Sequence, residues 1–266
     1  MIEIRRAFAD TPSGQIHYRT AGSGPTVLML HQTPRSSDEF LDVIPMFARH
    51  FRVIAMDTIG YGDSYRPLPP STRIEDFGKA AVELLDVPGI KKAHVVGHHT
   101  GAIIAIEIAA KYPERVDRLV LSAAPYTDEE RRKEIVTRPS VDRVDSKPDG
   151  SHLTEMWQIR MAFYPKNRPD LLTRFVTDAL KAKENIELGH HIVAEYPVPE
   201  NLSKIQAPTL AICGTEDPYC YPDLEKIGGG IKDCEVKGVQ GGMVPMVEQM
   251  PEEFSKIVIE FLLRRY

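Results

Sequence analysis

The sequence predicts an α/β protein: a largely parallel β-sheet covered by helices and interrupted once by a helical insertion. Three observations predict it. Short apolar runs alternate with amphipathic stretches of helical length over residues 1–125, and the pattern resumes over 201–266. One apolar strand breaks at Gly97 and runs straight into a helix across a pair of glycines, Gly97 and Gly101. Between about Tyr126 and Glu200 the alternation stops, replaced by a charged run, a polar loop and two or three helical stretches.

The segment up to Ile16-His17-Tyr18 reads as two strands around the turn Pro12-Ser13-Gly14. Thr26 to Leu30 (TVLML) is continuously apolar, as expected of a strand covered on both faces, and ends at His31-Gln32-Thr33-Pro34. Phe51 to Met56 is the next strand and runs into a loop holding Gly60 and Gly62. Thr72 and Glu75 have capping-box spacing for a helix to about Leu85. Ala93 to Val96 is a buried strand, and the helix after it runs from about Thr100 to Lys111, stopped by Pro113. Leu119–Ser122 and Pro208–Cys213 are further strands, and Pro251–Leu263 is the closing helix. An all-helical insertion in such a series is expected over the carboxyl edge of the sheet, where these folds bind ligands. Residues 126–200 therefore read as a cap inserted in a core of residues 1–125 and 201–266.

Composition narrows the function classes. A hydrophobic content of 42% with 27% charged residues is that of a soluble globular protein. The net charge of −5 gives no basis for a nucleic-acid or membrane-surface partner. The first residues lack the apolar stretch of a signal peptide, and no apolar run approaches the roughly 18 residues of a membrane span. Cys213, Cys220 and Cys234 are an odd number without CxxC spacing, so neither a disulfide framework nor a zinc site is expected. The expectation is a cytoplasmic protein, monomer or homodimer, acting on a small molecule.

The most informative segment is His94-Val95-Val96-Gly97-His98-His99-Thr100-Gly101-Ala102. Two glycines four apart between strand and helix allow a tight turn that thrusts the middle residue above the sheet. The helix start aims backbone N–H groups at whatever binds there. The middle residue is His99.

With these landmarks the sequence resembles the α/β-hydrolase superfamily over nearly its whole length. His31-Gln32-Thr33-Pro34 is similar to the family's HGxP loop, and Asp57 to Ser64 to its D-x-x-G-x-G-x-S loop. Gly214-Thr215-Glu216-Asp217-Pro218 resembles the strand end that carries the family's acid; Tyr112 to Val116 and Pro245 to Phe254 are further family segments. The resemblance implies an eight-stranded, mostly parallel sheet flanked by helices, an acid at Asp217, and an oxyanion hole from the backbone N–H groups of Thr100 and of Thr33 or Gln32. Three departures accompany it. Gln32 replaces a glycine, His99 stands where the elbow holds Ser, Asp or Cys, and Met243 stands where the triad histidine belongs.

Loss of nucleophile and base removes about a millionfold of turnover in a serine-type site, so alkoxide chemistry is excluded. An imidazole is longer than a serine side chain, however. From the elbow, His99 is expected to reach Asp217 while Met243 fills the remaining space. Such a dyad could serve as general base or as direct nucleophile through an acyl-imidazole. The expected reaction is cleavage of a small carbonyl compound: an ester, a lactone or a C–C bond. The alternatives are a catalytically inert small-molecule-binding protein and a cofactor-free lyase or dioxygenase. No cofactor or metal is implied. His98 and His31 read as structural. His190 and His191 are pocket candidates, with one of the two expected to face the cleft, since helical neighbours diverge by about 100°. Trp157 is a candidate for the pocket wall against a reading as helix core.

Overall fold

The computed structural model describes residues 2–68, 70, 73–136 and 142–264. Its sheet consists of β1 (Arg5–Thr11), β2 (Gly14–Ala21), β3 (Thr26–Leu30), β4 (Arg52–Met56), β5 (Ala93–His98), β6 (Val116–Ser122), β7 (Thr209–Gly214) and β8 (Cys234–Val239). They lie in the order β1-β2-β4-β3-β5-β6-β7-β8, with β1/β2 and β2/β4 antiparallel and every other pairing parallel. The helices are α1 (Ile44–Phe47), α2 (Ile74–Asp86), α3 (Thr100–Lys111), α4 (Glu129–Val136), α5 (Ser151–Arg160), α6 (Pro169–Ala182), α7 (Leu188–Glu195), α8 (Val198–Leu202), α9 (Leu224–Gly229), α10 (Met246–Gln249) and α11 (Pro251–Leu262).

The apolar strands pack on both faces. Along β3, Leu28 and Leu30 face the layer of α2, α3, α8 and α9, while Val27 and Met29 face that of α1, α10 and α11. Val95 and Val96 divide in the same way, which is why these strands read as continuous apolar runs rather than as alternation. Helix α3 follows the same logic: Thr100 to Ala109 are all buried, so it has no polar face to give a period. It sits behind the central strands, and its first turn is therefore fixed by the sheet.

Two parts of the fold left little trace in the sequence. Strand β8 is at the sheet edge; only Val239 is buried, so no apolar run marks it. Thr72, read as a cap, lies outside the described residues; α2 starts after Arg73, which makes no side-chain cap bond. Among the described residues between β6 and β7 the regular elements are all helical, with α4 to α8 in place of two or three stretches. Helices α7 and α8, with eight and five residues, are too short for a period to show.

That insertion has a small core of its own, built around Met156, Tyr164, Leu171, Leu172, Phe175 and Ile186. A buried ionic tie joins it to the sheet layers. Arg35, fully buried after the loop that follows β3, donates to Asp178 of α6 at 2.9 Å and to Glu248 of α10 at 3.0 Å. Paired in this way, the charges are tolerated, whereas removal of one partner would strand the others.

Candidate active site

The β5–α3 turn holds its middle residue in a rare conformation: His99 has φ 47° and ψ −112°. Its glycine neighbours show why the turn needs them. A Cβ on Gly97 would lie 2.1 Å from the Gly101 carbonyl oxygen, and one on Gly101 would lie 1.9 Å from that of Leu30. The strand and helix touch backbone to backbone, and the residue between them is forced outward. Thr100 opens α3, so its N–H has no acceptor within the helix.

From this turn the imidazole reaches the acid. His99 Nε2 lies 3.0 Å from Asp217 Oδ2, with the carboxylate 1% exposed and the ring only slightly more open. The contact is close but off the line of a hydrogen bond, and neither atom has another partner. The other carboxylate oxygen of Asp217 accepts the N–H groups of Tyr219 (2.9 Å) and Cys220 (3.1 Å). Burial pushes the Asp217 carboxyl up, but His99 and these backbone donors outweigh it and hold it below its usual value. Asp217 is therefore an anion in the folded protein.

The neighbouring histidines are fixed in neutral, structural roles. His98 donates from Nε2 to the Val244 carbonyl at 3.0 Å and accepts from Ser122 at Nδ1, 2.9 Å away. Burial, reinforced by His99, pushes it down to about 3. His31 accepts the Thr58 N–H at Nε2 (2.9 Å) and donates from Nδ1 to the Gln32 carbonyl (2.7 Å). Burial lowers its pKa as well.

The oxyanion loop corrects one expectation. The Gln32 N–H is already given to Glu39, at 3.0 Å, and the Gln32 side-chain amide donates to the same carboxylate at 2.6 Å. Gln32 is thus a brace for the loop and has no free backbone donor to offer. The Thr33 N–H makes only a long 3.4 Å contact with the Thr100 hydroxyl, which also pairs with the Thr33 hydroxyl at 2.8 Å. An incoming carbonyl oxygen could displace that long contact, leaving the Thr33 and Thr100 amides as the two donors.

A cavity of about 300 Å³ opens above these groups. His99, Thr33 and Thr100 line it from the sheet side, and Arg160, His190 and His191 from the insertion. Both histidines of the pair border it, against the expectation of one. His190 is anchored at 2.7 Å to Asp142, which also accepts from Arg160. Burial raises the Asp142 carboxyl, but Arg160 and His190 more than offset this and keep it low. Gly189, one residue before, packs directly on the oxyanion loop: a Cβ there would lie 1.9 Å from the Thr33 hydroxyl oxygen.

Two other expected pocket residues are elsewhere. Met243 does not line the cavity; its N–H is held by Gln249 at 2.7 Å, and Val244 forms the wall instead. With His98 gripping the Val244 carbonyl, the loop has no freedom to turn Met243 inward. Trp157 packs against the core of the insertion and likewise does not border the cavity. Cys220, which no sequence motif marks, does line it, with Sγ 3.5 Å from His99 Nδ1. Only its position three residues after the acid could have pointed to it.

Among the described residues, three groups of side chains have metal-ligating atoms within 4.8 Å of one another: His99/Asp217/Cys220, His17/Asp57/Asp63 and Asp142/Glu187/His190. The second is neutralised by Arg6 and Lys181 on Asp63, and the third by Arg160 on Asp142. Among the described residues, no helix is long and apolar enough to cross a membrane.

Comparison with known proteins agrees with the fold. The chain is 25% identical over 264 residues to a 2-hydroxy-6-oxononadienedioate/2-hydroxy-6-oxononatrienedioate hydrolase of Paraburkholderia xenovorans, covering 93% of this chain and 90% of the relative. It is 27% identical over 273 residues to a 2-hydroxy-6-oxo-6-phenylhexa-2,4-dienoate hydrolase of Comamonas testosteroni, covering 94% and 92%. The fold is shared with a thermophilic esterase of Thermogutta terrifontis, at a TM-score of 0.80 and 23% identity over 97% of this chain and 98% of that one. A family model described as the alpha/beta hydrolase fold matches residues 25–224, a span holding the oxyanion loop, the elbow and the acid. The chain belongs to the α/β-hydrolase fold family.

Proposed function

We propose that this protein hydrolyses a small carbonyl compound carrying a carboxylate, with His99 as general base and Asp217 as its orienting acid. The observation that carries the reading is the 3.0 Å contact between His99 Nε2 and Asp217 Oδ2 at the wall of the cavity. A neutral imidazole there takes the proton of the attacking group, and the buried anion stabilises the imidazolium that results. The Thr33 and Thr100 amides receive the negative charge developing on the carbonyl oxygen.

The substrate class has two supports. The relatives are named as hydrolases of hydroxy-oxo dienoates and dienedioates, compounds with a carbonyl and a carboxylate. The cavity lining carries Arg131, Arg143 and Arg160 against one carboxylate, Glu187, and the arginines' ion-pair partners Glu134, Asp145 and Asp142 lie outside the lining, so the guest is met by guanidinium groups. On this reading residues 126–200 are a cap, since α4, α5 and α7 supply the wall that faces His99.

The test is hydrolysis of short p-nitrophenyl esters, neutral and carboxylated, by wild type, His99→Ala and Asp217→Asn. Turnover should fall about 10²–10⁴-fold in each variant, the range for loss of a positioned base, and the carboxylated ester should show the lower KM. Full activity in His99→Ala, or no turnover of any ester or lactone by the wild type, would sink the reading.

A further inference from the structure

The cavity wall holds a thiol for which a base acting on water has no use. Asp217 closes a tight turn by accepting the Tyr219 and Cys220 N–H groups, and that turn brings Cys220 back beside the acid. Cys220 Sγ then lies 3.5 Å from His99 Nδ1, while the ring's other nitrogen faces the carboxylate. Carboxylate, imidazole and thiol stand in a row. The thiol borders the same cavity as Thr33 and Thr100, whose amides face an incoming carbonyl. By contrast Cys213, inside β7, is packed in the sheet core and does not reach the cavity.

We propose that Cys220 is the nucleophile of a relocated triad, Asp217–His99–Cys220, in which the elbow residue has become the base and the nucleophile has moved to the loop after the acid. This rests on His99 acting as base, as proposed above, and adds the atom that attacks. Burial and the Asp217 charge push the thiol well above its ordinary value, so it rests protonated. The proton therefore moves as the bond forms, in the manner of a serine-type site rather than of a preformed thiolate.

For an ester the balance is complete. Sγ bonds to the carbonyl carbon as its proton passes to His99 Nδ1, and the charge collects on the carbonyl oxygen. Collapse breaks the C–O bond; His99 returns the proton to the leaving alkoxide, and an alcohol departs from a thioester on Cys220. Water then gives a proton to His99 and adds to the thioester carbon. The C–S bond breaks, sulfur recovers the proton, and the acid leaves, one water having been consumed.

The experiment reads the thiol with and without substrate. Wild type and His99→Gln, which keeps bulk at the elbow, are treated with iodoacetamide and the labelling rate of each cysteine peptide is followed by mass spectrometry. Cys220 should label about tenfold or more faster in wild type, with Cys213 alike in both proteins. Acid quenching of wild type during turnover of a p-nitrophenyl acetate should leave an acetyl group on the Cys220 peptide. Cys220→Ala should lose about 10³-fold or more in turnover, and the near-isosteric Cys220→Ser should remain folded with turnover far below wild type. Equal labelling of Cys220 in wild type and His99→Gln overturns the proposal. So does wild-type turnover in Cys220→Ala, which leaves the base reading standing if His99→Gln is inactive. Turnover lost to a chelator and restored by zinc also overturns it, making the same three side chains a metal site. A wild type inactive on every ester, with Cys220 labelling still dependent on His99, rejects the hydrolase reading and keeps the thiol–imidazole pair.

Discussion

At residue 99 the backbone and the side chain make opposing demands. A φ of 47° disfavours any side chain with a Cβ, by about 1–2 kcal/mol, yet the position holds one of the larger polar ones. The cost is borne because the turn is over-determined: Gly97 and Gly101 close it, and the His99 N–H donates to the Ser122 carbonyl at 2.9 Å. His99→Gly and His99→Ala both remove the imidazole, so comparing them isolates the backbone. The glycine variant should be the more stable by about 1–2 kcal/mol in urea unfolding; equal midpoints would mean that the turn is not strained. At this scale His99 and Asp217 were legible, because the elbow and the acid loop are local patterns with fixed spacing. Cys220 was not, since its partnership with His99 spans 121 residues and depends on how two loops meet. Met243 misled because sequence position locates a loop, whereas the bonds to Gln249 and His98 decide which residue faces inward.

The elements around the site are held by a buried acidic side chain. Glu39, on the short turn after the oxyanion loop, binds both amides of Gln32 and so fixes the loop's path. Burial, only partly countered by Arg35, pushes its carboxyl up to about 8. The folded state therefore holds this proton more tightly than the unfolded chain does. Stability from this group is present below the ordinary carboxylate range and is lost as pH rises toward about 8. The slope is bounded by about 1.4 kcal/mol per pH unit. Glu39→Gln should flatten the fall of unfolding free energy across that window; an unchanged pH profile would show that Glu39 is ionised in the fold. None of this was visible in the sequence, where Glu39 reads as one acidic residue among many. The βα alternation was visible, because parallel strands covered on both faces write long apolar runs. Strand β8 and the short helices α7 and α8 wrote none.

For the molecule as a whole, the site is a seam between two bodies of structure. The sheet supplies the elbow, the acid and the oxyanion loop; the insertion supplies the cationic wall, and Arg35 ties the two together through α6 and α10. The architecture was legible to this level, since an interruption of a regular pattern is as readable as the pattern itself. The contact of Gly189 with Thr33 has a consequence for how such a seam operates. Helix α7 rests without a gap on the side chain of Thr33, the residue whose amide is proposed above to receive the oxyanion. A substrate that entered by displacing α7 would free the Thr33 side chain, and reseating the helix would fix it again around the guest. Entry, commitment and release would then be phases of one motion, and a guest too small to hold the helix down would be turned over poorly however well it fits. Gly189→Ala, which wedges the helix off the loop, should lower kcat about tenfold or more with little change in Tm. An unaltered kcat would show that the roof and the anion site work independently.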